Sequence, residues 1–189
     1  MDEQSTMGAP AGLLRRLAAL VYDCLPLLAI LFVGTVVVLP LTGGEGITPA
    51  RQGLGAYLLY RAFLALLALG YFGLAWTRGG QTIGSMAWKI RLVNRDGRAP
   101  AWPAALARFA FGLALAVAAE CGLRLAFEPG GAAPKLAAGL LMLPLVANFA
   151  WIPLDARGRS LQDLACRTRM LRIRVSMHAP DRESGNHGQ

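Results

Sequence analysis

Charge is scarce in this 189-residue sequence. Asp, Glu, Lys and Arg make up 16% of it, against roughly 25% in an ordinary soluble domain. That excludes a disordered chain, which stays solvated through charge. Histidine is nearly missing, with only His178 and His187, both in the polar stretch after Val175. No nucleophile–base set and no Gly-rich phosphate loop stands elsewhere, so an enzyme is not expected. Cysteine is sparse too. Cys24, Cys121 and Cys166 are scattered without Cys-x-x-Cys or Cys/His spacing, so the expectation is no disulfide framework, no metal site and no cofactor. Acidic residues number 11 against 19 Lys plus Arg, a net charge of +8. Such an excess fits nucleic acid or an anionic membrane surface, and the positions of the charges decide between the two.

Apolar residues are abundant, at 55% of the chain, too many for one small soluble core. They gather in four runs. Leu17–Leu39 holds one charge, Asp23, and Leu54–Trp76 holds one, Arg61. Ala104–Phe127 holds Arg108, Glu120 and Arg124, and Leu136–Leu154 holds none. Each run meets the length of a membrane span, about 20 residues. Buried helices of a soluble bundle would each carry a polar face, and these mostly do not. The reading is an all-α integral membrane protein with four transmembrane helices, at about 17–39, 54–76, 104–127 and 136–154.

The basic residues orient it. The N-terminal region, the middle loop and the C-terminal region together hold 14 of the 19 Lys and Arg, whereas Thr42–Gly53 and Glu128–Lys135 hold only Arg51 and Lys135. Four spans put the three rich regions on one face, which the positive-inside rule makes cytoplasmic. Both termini are then cytoplasmic. The first run is longer and more apolar than a signal-peptide or twin-arginine core, so it reads as an uncleaved anchor. No fold or aromatic platform accompanies the basic residues, so no nucleic acid is expected. The expected partner is a bilayer with anionic headgroups.

A degenerate internal repeat emerges once the spans are set aside. Gln81 to Val93 aligns without gaps on Arg159 to Leu171, with Thr82 on Ser160, Ile83 on Leu161, Ala87 on Ala165, Lys89 on Arg167 and Arg91 on Arg169. Each copy follows an even number of spans. The chain therefore reads as two parallel two-span repeats, each followed by a short amphipathic cytoplasmic helix and a short strand. In that register Arg16 and Arg108 are equivalent, while Asp23 meets Leu115. Ile83, Met86, Ala87 and Ile90, then Leu161, Leu164, Ala165 and Thr168, fall at i, i+3, i+4 and i+7, with Thr82 and Ser160 as N-caps. Lys89, Arg91, Arg167 and Arg169 would flank these stripes and face anionic lipid. Beyond the second helix Leu171, Ile173 and Val175 alternate with Arg172 and Arg174 as a strand does, and Ile90–Val93 is its candidate partner.

Charges inside spans are costly, about 2.5–3.5 kcal/mol each at the bilayer centre. Depth sorts them into a cytoplasmic-side layer of Asp23, Arg108 and Asn148 and an opposite layer of Arg61, Glu120 and Arg124. Asp23–Arg108 and Arg61–Glu120 are the candidate interhelical pairs, and Glu120–Arg124 is an i, i+4 pair. Two readings stand for these groups. Ion pairs would fix helix register, or Asp23 and Glu120 would bind and release a proton or cation along a path through the bundle.

Arg15-Arg16-Leu-Ala-Ala-Leu-Val-Tyr-Asp23, Gly80-Gln81-Thr82-Ile83-Gly84 leading into Ile90–Val93, and Ser160-Leu161-Gln162-Asp163-Leu164 through Arg169 resemble, in order, the segments of the RDD family of membrane proteins. The resemblance covers roughly Pro10 to Val175. It implies Arg16, Asp23 and Asp163 as the family's arginine and two aspartates, with Asp155 the weaker candidate for the second aspartate. The sequence departs in having Gln162 where a histidine commonly precedes the aspartate, and four spans where two or three are often described. The domains implied are a cytoplasmic tail at 1–12, an RDD-like membrane domain at 13–175 and a disordered tail at 176–189. The implied setting is a bacterial inner membrane. The function stays open between two classes. One is a transporter or cation/proton exchanger, and the other is a non-transporting scaffold or regulator with a basic lipid- or partner-binding face. A homo-oligomer is compatible with either.

Overall fold

The computed structural model describes residues 8–127 and 132–173. The expected tail from residue 176 and most of the N-terminal tail lie outside the described residues.

Helix α1 spans Leu13–Val38 and runs into a 3-10 turn at Leu39–Thr42. Helix α2, Pro49–Gly79, starts on a proline, where a missing N–H costs nothing. It breaks at Gly53 (φ 80°) and ends on Gly80 (φ 70°), the left-handed cap that glycine adopts without strain. Two five-residue helices, α3 (Ile83–Ala87) and α6 (Leu161–Ala165), flank the second pair of long helices, α4 (Trp102–Phe127) and α5 (Ala132–Ala150). Strands β1 (Ile90–Asn94) and β2 (Thr168–Arg172) pair antiparallel, Ile90 opposite Arg172 and Asn94 opposite Thr168. The N-terminal segment lies along the outer edge of β2, where Ala11 N–H donates to Met170 O and Arg172 N–H donates to Ala9 O. The bundle packs α4 against α5 and α2, and α1 against α2 and α3.

Burial is inverted relative to a water-soluble fold. Leu25 and Phe32 are each 70% exposed and Leu59 is 74% exposed, while Arg16, Asp23, Arg108, Asn148 and Asp163 are all buried. Apolar side chains pointing outward over the length of the helices suit a lipid surround. Three helices are long and apolar enough to cross a membrane: Leu13–Thr42, Pro49–Gly79 and Trp102–Phe127. The fourth run forms the shorter α5, which stops at Ala150 instead of Leu154. Beyond it Ile152 N–H bonds back to Phe149 O and Leu154 N–H to Trp151 O, tight turns around Pro153, which has no N–H to continue a helix.

The small core lies under the two-stranded ribbon, where Ile90, Leu92 and Val93 of β1 are buried with Ala11, Ala19, Trp76 and Ala105. The amphipathic helices are shorter than the i, i+7 spacing requires. Lys89 (φ 52°) and Arg167 (φ 53°) leave the helical region, so Ile90 and Thr168 stand on strands. The side that α3 buries is small and polar, Gly84 and Ser85, while Ile83 and Met86 face outward. Lys89, Arg91, Arg167 and Arg169 accordingly sit on the ribbon and its entry turns, where they do not flank a helical stripe.

Candidate functional site

The short helix α6 aims one carboxylate into the bundle. Ser160 caps it, its Oγ accepting from Asp163 N–H at 3.1 Å, and Asp163 Oδ2 accepts from Ser160 N–H at 3.2 Å. This reciprocal capping box orients the Asp163 side chain before any partner arrives. Arg16 Nη1 of α1 then donates to Oδ2 at 2.5 Å, and Arg108 Nη1 of α4 donates to Oδ1 at 2.6 Å. Arg108 also reaches Thr168 Oγ1 at 2.8 Å and lies 5.7 Å over the Trp76 ring. Arg16 also donates from Nε to Ala11 O at 2.9 Å and from Nη2 to Gly158 O at 2.7 Å. The Asp163 side chain is fully inaccessible. Burial by itself pushes its carboxyl up, and Arg108 and Arg16 outweigh that, holding it below the usual carboxylate range. Two guanidiniums for one carboxylate leave an excess positive charge.

Asp23 makes a separate site. Its Oδ1 accepts from Tyr71 OH at 2.7 Å and from Gly84 N–H at 2.8 Å, and its Oδ2 accepts from Thr82 Oγ1 at 2.5 Å. These donors come from α2, from α3 and from the residue capping α3. All three are neutral. None of the ion pairs among the described residues includes Asp23. Gly84 permits the approach, since a Cβ there would overlap Ala19 O and lie 2.9 Å from Asp23 Cγ. The expected Asp23–Arg108 pair is therefore replaced. Arg108 turns to Asp163, which α6 presents ready-oriented, and Asp23 is taken up by α3.

The opposite layer pairs as its depth implied. Arg61 of α2 grips both oxygens of Glu120 on α4, with Nη1 at 3.0 Å from Oε1, and Arg124 adds a contact at 2.7 Å. Asp155, the alternative second aspartate, is occupied locally by Arg159 at 2.9 and 3.0 Å. Arg159 holds its carboxyl below the ordinary range.

The two ribbon segments share local geometry. Thr82 and Ser160 each cap a five-residue helix, and Lys89 and Arg167 each follow it at positive φ. In each helix the second N–H is bound by a polar side chain of a long helix: Gly84 by Asp23, and Gln162 by Asn148 Oδ1 at 2.9 Å. Gln162 also donates from Nε2 to Arg108 O at 2.8 Å. Asn148 thus takes, for the second segment, the place that Asp23 takes for the first. Residue patterns do not single out Tyr71 or Gln162 as partners. The available signal for Tyr71 is a hydroxyl in a mostly apolar run, which Tyr57 and Tyr60 of the same run share. Among the described residues no cluster of three or more His, Cys, Asp or Glu comes together.

Long helices with apolar outer surfaces, closed at one end by a ribbon and a buried arginine–aspartate hub, define a multi-helix membrane protein. Residues 10–167 match the model of the RDD family, and the chain belongs to that family. No curated protein and no solved structure matches it.

Proposed function

We propose that the protein is a transporter or cation/proton exchanger of the bacterial inner membrane and that Asp23 carries the exchanged proton or cation. The observation that supports this most is the partner set of Asp23: a buried carboxylate ten residues into α1, about 15 Å along its axis, facing a phenol, a hydroxyl and an amide N–H, with no cationic partner among the described residues. An intramembrane carboxylate without a counter-ion is the group that proton relays use. Glu120 differs, because Arg61 and Arg124 hold it, and it is assigned to register between α2 and α4. Four spans, two parallel repeats, cytoplasmic termini and a homo-oligomer belong to the same reading, and no enzymatic step does. The matched short segments and the basic ribbon end support it.

The test is flux in vesicles of purified protein loaded with a pH-sensitive dye. A sodium or potassium gradient is expected to drive proton movement in wild type and not in Asp23→Asn, with the melting of the variant checked separately. Unchanged flux in folded Asp23→Asn would sink the role of Asp23.

A second reading is a non-transporting scaffold with a lipid- or partner-binding basic face. Exposed Lys89 and Arg91 on the ribbon favour it. It predicts that neutralising Lys89, Arg91, Arg167 and Arg169 abolishes function while Asp23→Asn does not.

A further inference from the structure

At the ribbon end a cavity of about 620 Å³ opens over the hub, with five arginines in its wall: Arg95, Arg157, Arg159, Arg167 and Arg169. They come from separate parts of the chain. Arg95 lies in the turn after β1, Arg157 and Arg159 between α5 and α6, Arg167 between α6 and β2, and Arg169 on β2. Two are held as framework. Arg159 is paired with Asp155, and Arg169 Nη2 donates to Arg95 O at 2.7 Å, tying the β1 turn to the cavity wall. The guanidiniums of Arg95, Arg157 and Arg167 are exposed and make no hydrogen bond or ion pair with the described residues. The acidic residue among the described lining residues, Asp163, has an inaccessible side chain that is already matched by Arg16 and Arg108. Behind the floor, two arginines for one aspartate add to the positive potential.

A solvated basic face would spread its charges apart to limit repulsion. Here three guanidiniums that engage none of the described residues line one concavity of ligand size. Guanidiniums bind phosphate oxygens in pairs of parallel hydrogen bonds, and a phosphate group offers several such oxygens at once. We propose that this cavity binds a phosphate-bearing anion through Arg95, Arg157 and Arg167. A lipid headgroup and a soluble phosphate compound carry the same chemistry. The site does not depend on ion exchange at Asp23, and binding is measured without flux, so either idea can fail alone.

The experiment uses the full chain in phosphatidylcholine nanodiscs, titrated with pyrophosphate by calorimetry. The Arg95→Gln/Arg157→Gln variant is expected to weaken binding about tenfold or more. The Arg78→Gln/Arg98→Gln variant removes equal charge from exposed residues outside this cavity and is expected to stay close to wild type. Discs doped with phosphatidylglycerol separate the sources: displacement of pyrophosphate marks a headgroup site, and undiminished binding marks a soluble ligand. If pyrophosphate does not bind in neutral discs, co-purifying phosphatidylglycerol counted by native mass spectrometry takes its place, with selective loss expected in Arg95→Gln/Arg157→Gln. Equal weakening in both variants, or no binding of pyrophosphate together with equal lipid retention, overturns the proposal. Should the double variant fail to fold, Arg157→Gln alone carries the same comparison, since its exposed guanidinium makes no hydrogen bond or ion pair with the described residues.

Discussion

Arg16 and Arg108 share one carboxylate, their Nη1 atoms lying 2.5 and 2.6 Å from the two oxygens of Asp163. One arginine opens α1 and the other lies in the first turns of α4, so a five-residue helix between α5 and β2 ties together the starts of two long helices. The arrangement sets the order of effects that mutation should have.

Asp163→Asn leaves two buried guanidiniums facing a neutral amide and is expected to cost about 3–5 kcal/mol, the usual penalty for an uncompensated buried charge. Arg16→Gln or Arg108→Gln leaves one balanced pair and should cost less. Thermal unfolding of the three variants in one detergent checks the order, and a milder Asp163→Asn would contradict the shared-carboxylate account.

Acid should act through the same group. Its folded carboxyl is held below the unfolded value, which is about 3.9 for a free aspartate. Its contribution is therefore complete above that value and is lost as pH falls through the lowered one. Melting temperature should stay level down to about pH 4 on this account and drop below it. Melting Asp163→Asn over the same range should give a shallower acid limb.

Gly84→Ala should destabilise the docking of α3 on α1 by about 1–3 kcal/mol, because overpacked atoms must move backbone. The obstructing atom is Ala19 O, which cannot rotate away. At Gly70, in α2, a Cβ meets nothing within 4 Å, and Gly70→Ala should be neutral or stabilising by up to about 1 kcal/mol. Hydrogen exchange at the α3 amides separates the two.

Thr82 and Ser160 both cap, but Thr82 Oγ1 also donates to Asp23 while accepting from Ser85 N–H at 3.2 Å. Loss of a cap alone costs about 0.5–2 kcal/mol. Thr82→Ala should exceed Ser160→Ala in cost, and Thr82→Ser should recover most of the loss in a melting series.

Arg61 and Glu120 form a cross-helix pair whose members depend on each other. Arg61→Met and Glu120→Met should each destabilise, and the double variant should lie nearer wild type than either, a coupling of about 0.5–3 kcal/mol. Additive losses in a double-mutant cycle would refute the pairing.

Several of these features are legible in the residues alone. The Arg61–Glu120 contact follows from depth, because both residues sit at matching levels in apolar runs where few other partners exist. The pairing partner at Ile90–Val93 is legible, and the caps at Thr82 and Ser160 follow from residue type, but the alternation at Leu171, Ile173 and Val175 sets the second strand too late, since β2 runs over Thr168–Arg172. Depth misassigns Asp23 to Arg108, because equal depth does not fix which way two side chains face. Spacing overstates the lengths of α3 and α6, because the apolar pattern at Ile90 and Thr168 continues across positive-φ turns at Lys89 and Arg167, where the backbone leaves the helix.

The sequence by itself determined the membrane class and the three long apolar helices, since a run of about 20 largely uncharged residues is a local property that solvent alone selects. Tertiary structure decided which acid meets which base. Asp163 reaches Arg16 and Arg108 only because a capping box turns it inward and β2 pairs with β1, and Asp23 is left to neutral donors only because Gly84 lets α3 approach so closely. Those are contacts between residues tens of positions apart, set by the register of packed helices, which no periodicity along the chain records.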